Sequence, residues 1–209
     1  MDLSRIVVNE QSSVRIDAGK IIYFDPFKIQ EERHDADYIF LTHDHYDHYS
    51  LDDVLKVLKK ETIFVVPEKM DVRVRKNTPA GINMPVKPGQ IYETKDFIFE
   101  TVAAYNKLKP FHPKKDGWVG YILNIDDSRI YIVGDTDATK EAKNVSCDIA
   151  MIPIGGTYTM NYKEGAALIN HIRPKVVIPI HYGSIVGSKT DGESFKKLVD
   201  DGIFVCLKI

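Results

Sequence analysis

Directly after the apolar run Tyr38 to Leu41, the chain reads Thr42-His43-Asp44-His45-Tyr46-Asp47-His48. Imidazole and carboxylate groups are good zinc ligands, and a catalytic zinc site also keeps one coordination position open for water. In extended backbone, alternate side chains share a face, so His43 and His45 can project together. A turn before Ser50 can bring Asp47 and His48 beside them. One short loop can therefore serve two adjacent metal ions.

Length and composition indicate an ordinary globular protein. The 209 residues predict a single domain over residues 1–209, and 44% hydrophobic with 28% charged residues is a typical balance. No segment approaches the roughly 18 consecutive apolar residues of a membrane helix, so we expect no membrane span. The first eleven residues lack the basic-then-apolar pattern of a secretory signal, which predicts a cytoplasmic location.

Charge and cysteine content exclude further classes. The formal net charge of -2 gives no general attraction to nucleic acid, so we expect no nucleic-acid partner. Two cysteines are too few for a disulfide framework. The oligomeric state stays open.

Short apolar, β-branched runs predict strands along the whole chain. They are Arg5 to Asn9, Ser13 to Ile16, Lys20 to Phe24, Tyr38 to Leu41, Ile63 to Val66, Ile91 to Glu93, Phe97 to Val102, Gly120 to Ile125, Arg129 to Val133, Ile149 to Pro153, Val176 to Ile180 and Ile203 to Leu207. So many strands exceed what one small open sheet holds comfortably. Two packed sheets flanked by helices fit the pattern.

Two helices stand out by their capping residues. Ser50 with Asp53 precedes apolar positions at helical spacing from Leu51 to Leu58. Asn161, with Glu164 three residues later, precedes a second apolar face that Arg173-Pro174 ends.

Further ligands are expected at the ends of other strands, where a side chain is held more rigidly than in a long loop. Asp135 follows one predicted strand and His181 follows another. His112 lies in a longer loop and is a third candidate. Alone, Asp135 is also compatible with a turn residue and His181 with a buried polar residue.

The order His43-x-His45-x-Asp47-His48, then Asp135, then His181 resembles the signature of the metallo-β-lactamase superfamily. Two other segments are similar to its short-chain branch of ascorbate-6-phosphate lactonase-like and N-acyl phosphatidylethanolamine phospholipase-like hydrolases. They are Phe24-Asp25-Pro26-Phe27 and the run from Pro153 to Met160. The resemblance implies an α/β fold, a four-layer αββα sandwich of two mixed sheets flanked by helices, with the site at one edge of the sheets.

The resemblance also implies a ligand set for two divalent ions, with zinc favoured and manganese or iron compatible. His43, His45 and His112 would hold the first ion, Asp47, His48 and His181 the second, and Asp135 would bridge. The branch often has its third histidine where this chain has Asn106, so Asn106 or water is an alternative to His112. Asp25 is expected either to orient a ligand histidine or to cap the turn before Pro26.

The predicted reaction is hydrolysis of an ester, lactone, amide or phosphodiester bond of a small substrate by a metal-bound hydroxide. The resemblance suggests Asp47 as the catalytic residue that orients the hydroxide and passes on its proton. Adjacency to the ligand segments suggests the substrate contacts Tyr105, Asn106, Tyr158, Thr159 and Tyr182. The lysines at 107, 109, 114 and 115 could attract an anionic substrate or could be ordinary surface residues. Two alternatives are an RNA or phosphodiester nuclease and a non-catalytic metal-binding regulatory protein.

Overall fold

The structure is a computed structural model that describes residues 1–208. The backbone divides into two compact units, Met1–Lys87 and Pro88–Ile209. Each unit contains one mixed β-sheet with its helices. The predicted α/β class with two mixed sheets flanked by helices is confirmed.

The first unit holds a six-stranded sheet in the order β1-β2-β3-β4-β5-β6. Its strands are β1 (Ile6–Val8), β2 (Val14–Asp17), β3 (Ile21–Phe24), β4 (Tyr38–Phe40), β5 (Ile63–Pro67) and β6 (Ile82–Val86). The first three strands are antiparallel neighbours, and β3 to β6 run parallel. Helices α1 (Leu51–Val57) and α2 (Asp71–Asn77) connect the parallel strands, as parallel pairing requires a crossover.

The second unit holds a seven-stranded sheet in the order β13-β12-β11-β10-β9-β8-β7. Its strands are β7 (Ile91–Glu93), β8 (Ile98–Ala103), β9 (Val119–Ile125), β10 (Ser128–Ile132), β11 (Ile149–Pro153), β12 (Val176–Ile180) and β13 (Phe204–Val205). Strands β7 to β10 are antiparallel and β10 to β13 are parallel. The helices are α3 (Lys140–Lys143), α4 (Tyr162–Ile172) and α5 (Asp191–Lys196).

Helix α4 shows how sequence determines a local element. The Asn161 side chain accepts hydrogen bonds from the backbone of Lys163 and Glu164, and Glu164 Oε2 accepts from the Asn161 backbone at 2.9 Å. These bonds satisfy amide groups that a helix start leaves without partners. Leu168 and Ile169 are buried in the core of the second unit, and each buried side chain of this size contributes about 1.5–3 kcal/mol.

All twelve predicted strands and both predicted helices are present. Within residues 1–208 the prediction missed strand β6 and helices α2, α3 and α5. Among those same residues, every helix is too short or too polar to cross a lipid bilayer.

The direction of the strands places the candidate ligand segments. In the first unit, Asp25 follows β3 and His43 comes soon after the parallel strand β4. In the second unit, β8, β10 and β12 share one direction, and His112, Asp135 and His181 all follow their carboxyl ends. In each unit, the candidate ligands therefore lie at one end of the strands of its sheet.

Candidate metal centre

The metal loop, residues 42–48, brings its predicted ligands together within the first unit. The ligand atoms of His43 and His45, of His43 and His48, and of Asp47 and His48 lie within 4.8 Å of each other. The Asp47 Oδ2 to His48 Nε2 distance is 3.6 Å. His43, Asp47 and His48 are buried. Imidazole and carboxylate are common metal ligands, and each of these pairs is close enough to share an ion.

Asp25 fixes the orientation of one of these histidines. Its Oδ2 lies 2.7 Å from His48 Nδ1, and its Oδ1 accepts the Thr42 backbone amide at 2.8 Å. A hydrogen bond from Nδ1 leaves the Nε2 lone pair directed at a ligand position. Burial raises the pKa of Asp25, while hydrogen bonds from His48 and Thr42 act in the opposite direction. Of the two roles expected for Asp25, this contact with His48, a predicted ligand, favours the orienting one.

Thr42 orients His43 as Asp25 orients His48, by a contact with Nδ1. No role was predicted for Thr42 from the sequence. The Thr42 hydroxyl donates to Asp25 Oδ2 at 2.6 Å and lies 3.0 Å from His43 Nδ1. Because the single hydroxyl proton is used by Asp25, the second contact requires the proton on His43 Nδ1. Thr42 therefore links His43 to the buried carboxylate that also contacts His48.

The second unit brings together its own three candidate ligands. Asp135 Oδ2 lies 3.3 Å from His181 Nε2 and 3.7 Å from His112 Nε2. All three side chains are almost fully buried. His112 and His181 have left-handed backbone conformations, with φ of 55° and 56°, which residues with a Cβ atom seldom adopt. The loop residue His112 thus reaches Asp135 despite its distance from the end of β8.

A close backbone approach supports the position of His181. A Cβ atom at Gly155 would lie 2.3 Å from the His181 carbonyl oxygen and 2.5 Å from a methyl group of Val186. Both distances are far shorter than van der Waals contact. Only glycine fits at position 155 while the chain after β12 keeps this course.

The five predicted substrate contacts differ in their surroundings. Tyr105 and Tyr158 are partly exposed. Asn106 is buried and donates to the carbonyl oxygens of Phe111 and Tyr158. Thr159 is fully buried, and its hydroxyl donates to Thr136 O at 3.3 Å. Tyr182 packs in the hydrophobic core of the second unit, and burial raises the pKa of its hydroxyl. The rings of Tyr105 and Tyr158 are therefore the more accessible candidates.

Phe111 is a further candidate that sequence reasoning missed. Its side chain is 41% exposed, and its ring packs edge-on against Tyr158 with centroids 4.8 Å apart. Its position next to His112 was the available signal in the sequence.

Most of the nearby lysines have partners within the second unit. Lys109 forms an ion pair with Asp137, and Lys107 Nζ donates to the Ala138 carbonyl oxygen at 2.9 Å. Lys114 lies 2.7 Å from Glu141 and lowers the pKa of that carboxyl to about 2. These contacts favour a structural role for the lysines over attraction of an anionic substrate.

A model of the beta-lactamase superfamily domain matches residues 5–181, which include residues of both units. The chain belongs to the metallo-β-lactamase superfamily. A relative from Staphylococcus carnosus, a UPF0173 metal-dependent hydrolase, is 32% identical and aligns with 95% of this chain and 94% of its own length. Other relatives of 30% identity or more carry the same name, so we assign this chain to the metal-dependent hydrolases.

Solved structures support the fold. A Parabacteroides distasonis protein assigned as a metal-dependent hydrolase matches with a TM-score of 0.80 and 28% identity, over 97% of this chain and 91% of that one. The metallo hydrolase Igni18 from Ignicoccus hospitalis matches with a TM-score of 0.78 and 20% identity, over 97% and 93% of the two chains. The second match speaks for the fold alone. The resemblance predicted from the sequence is confirmed at the superfamily level, and the lactonase-like branch stays a prediction.

Proposed function

We propose that this superfamily member hydrolyses an ester, lactone, amide or phosphodiester bond of a small substrate with the help of two divalent ions, most readily zinc. The proposed ligands are the seven residues His43, His45, Asp47, His48, His112, Asp135 and His181. The observation that carries the proposal is the position of Asp135 Oδ2, at 3.3 and 3.7 Å from two imidazole nitrogens.

The donor atoms have the spacing that a metal ion needs. Zinc lies roughly 2.0–2.1 Å from histidine nitrogen and carboxylate oxygen, so two ligands of one tetrahedral ion are about 3.3 Å apart. Asp135 Oδ2 matches this separation toward His181 Nε2 and nearly matches it toward His112 Nε2. A carboxylate between two imidazoles is well suited to bridge the ions that each imidazole would bind.

Burial of the same groups also fits a cation. Asp47 and Asp135 are at most 7% exposed, and burying a carboxylate is costly unless positive charge or hydrogen bonds compensate. Imidazole and carboxylate donors suit zinc and also accept manganese or iron. The assignment of all seven ligands to one pair of ions rests on this chemistry and on the superfamily membership.

Bound divalent ions lower the pKa of water and polarise the bond to be cleaved. Hydrolysis adds the water oxygen to a carbonyl carbon or phosphorus and transfers a proton to the leaving group. Asp47 is the proposed carrier of that proton, because its carboxylate can accept and release it beside His48. Asp25 and Thr42 keep the two histidines in the orientation that the reaction requires.

The proposed substrate-contacting surface includes the edge-on ring pair Phe111 and Tyr158 and the partly exposed ring of Tyr105. Aromatic rings offer a large apolar contact area together with a polar hydroxyl in tyrosine. The pairing of Lys109 and Lys114 with acidic residues leaves less positive charge to attract an anion. We therefore favour a substrate with an apolar or aromatic group next to the scissile bond.

The test combines metal counting with a substrate screen. Purified protein is loaded with zinc or manganese, the ions are counted by plasma mass spectrometry and located by anomalous scattering, and a panel of esters, lactones, amides and phosphodiesters is assayed. We expect two ions, hydrolysis of one bond class, and loss of activity with a chelator that added metal restores. One bound ion, or two ions away from Asp135 and His181, would contradict the proposed centre.

A further inference from the structure

We infer that Asn106 is a positioning residue for His112 and is not itself a metal ligand. The inference rests on the proposed function, since it concerns one of the proposed ligands. Asn106 follows β8 by three residues, and residues 107–111 separate it from His112. Both ends of this intervening loop meet at Asn106. Its backbone amide donates to the His112 carbonyl oxygen at 2.9 Å.

The Asn106 carboxamide joins two loops. Its Nδ2 donates to the Phe111 carbonyl oxygen at 2.9 Å and to the Tyr158 carbonyl oxygen at 2.8 Å. A carboxamide has two N–H hydrogens, so these bonds use both of them. Turning the group over would place Oδ1 against two carbonyl oxygens. The amide orientation is therefore determined by the two carbonyl groups.

This orientation places Asn106 behind the His112 ring. The Nδ2 atom lies 3.2 Å from His112 Nδ1, while the other ring nitrogen, Nε2, lies 3.7 Å from Asp135 Oδ2. The nitrogen that faces Asp135 is thus the one turned away from Asn106. Asn106 contacts the ring on the side opposite to its proposed ligand atom.

The loop of residues 107–111 needs a support of this kind at its carboxyl-terminal end, next to His112. Bonds from Lys107 and Lys109 to Asp137 attach its first half, whereas the Leu108 side chain is 96% exposed and contributes little packing. His112 itself has a left-handed backbone, a sparsely populated conformation that neighbouring structure must maintain. The bonds of Asn106 act at His112, where this conformation occurs, and at the preceding residue Phe111.

The alternative role, Asn106 as a ligand through its oxygen, predicts a different response to substitution. Asn106 Oδ1 is buried and has no hydrogen-bond partner among residues 1–208. Asn106→Asp keeps an oxygen there and adds charge, but a carboxylate cannot donate to the two carbonyl groups. A ligand role predicts that this variant binds metal at least as tightly as the parent protein. A positioning role predicts that it fails like Asn106→Ala.

The experiment titrates metal-free variants with Co²⁺ and follows the visible absorption spectrum, together with zinc stoichiometry. For Asn106→Ala and Asn106→Asp we expect one ion to bind about 10- to 100-fold more weakly, the usual effect of removing a group that orients a ligand. The spectrum should change in the same way as in His112→Ala. The matched control is Asn170→Ala, because the Asn170 carboxamide in α4 also bonds to the backbone, at Leu198 O and Asp200 N, and contacts none of the proposed ligands there. It should bind both ions normally.

Circular dichroism and thermal unfolding of the metal-free proteins separate folding from metal binding. If Asn106→Ala does not fold, Asn106→Ser, which keeps one hydroxyl donor, is expected to bind the ion with intermediate affinity. Tight Co²⁺ binding by Asn106→Asp with an unchanged spectrum would overturn the inference. If His112→Ala itself binds both ions normally, the proposed ligand set fails instead, so the two failures are distinguishable.

Discussion

The two units supply their candidate ligands in different ways. The first unit places four of them in the six residues from His43 to His48, after one buried strand. The second unit takes one from each of three loops, after β8, β10 and β12. The first group is continuous in sequence, whereas the second is assembled by the order of the strands in a sheet.

This difference determines what supports each group. In the metal loop, a hydrogen-bonded pair, Asp25 and Thr42, orients His43 and His48. In the second unit, the supports act on the backbone, namely the left-handed conformations of His112 and His181, the close approach of Gly155 and the carboxamide bonds of Asn106. Substitutions should therefore act through ligand orientation in the first unit and through loop position in the second.

The largest expected effect is at Asp47, the carboxylate of the metal loop that we propose carries the proton. Asp47→Asn cannot accept a proton, so kcat should fall by about 100- to 10,000-fold, the usual contribution of a general acid–base group. The measurement is steady-state kinetics on the substrate that the panel identifies, with metal content determined in parallel. A fall of less than about tenfold in fully loaded protein would show that another group moves the proton.

A smaller effect is expected at Asp25. Asp25→Asn removes the charge that holds His48 Nδ1 and should weaken metal binding by about 10- to 100-fold, measured by zinc titration. Asp37→Asn is the matched control, because Asp37 accepts the backbone amide of Ile21 at the opposite end of β3. Asp37→Asn should lower the free energy of unfolding without weakening zinc binding. Equal zinc affinity of Asp25→Asn and Asp37→Asn would show that Asp25 does not orient His48 for metal binding.

In the second unit, Gly155→Ala tests support by the backbone. The added Cβ atom would meet the His181 carbonyl oxygen, so we expect a stability loss of about 1–3 kcal/mol with weaker metal binding. Gly89→Ala is the control: its φ of 73° strains an alanine, so stability should fall, but no atom lies within 4 Å of the added Cβ and metal binding should be unchanged. Thermal unfolding with and without zinc separates the two effects. A stability loss that zinc saturation leaves unchanged in both variants would mean that Gly155 does not act through His181.

The smallest effect is expected at Asp44, which lies among the ligands of the metal loop. Its carboxylate is partly exposed and forms a 3.4 Å ion pair with the exposed residue Arg73, and such surface pairs contribute only about 0–1 kcal/mol. Asp44→Asn should change kcat and metal affinity by less than about twofold. Asp44→Asn is the matched control for Asp47→Asn within the metal loop and is measured in the same kinetic assay. A large loss of kcat in Asp44→Asn would show that the effect of Asp47 is not specific to its carboxylate.

Elements with strong local patterns were predicted correctly from the sequence. The buried strands β4, β11 and β12 are apolar runs, and α4 has both a capping box and an apolar face. Strand β6 was missed because Asn83 and Pro85 interrupt its pattern, and proline is tolerated there since β6 lies at the edge of its sheet. Helix α2 was missed because Val74 is its only buried residue, which leaves no apolar stripe.

The sequence by itself determined the fold class and the composition of the metal loop, because strand and helix periodicity and ligand clustering are local properties. It also pointed to Asp135 and His181 through their places after apolar strands. Only the tertiary structure decided that His112 reaches Asp135, that Asp25 and Thr42 orient the histidines, and that Tyr182 belongs to the core. His112 and Asp135 are 23 positions apart, as are Asp25 and His48, and Asp25 and Thr42 are 17 apart. Their geometry depends on strand order and backbone conformation, which no local pattern encodes.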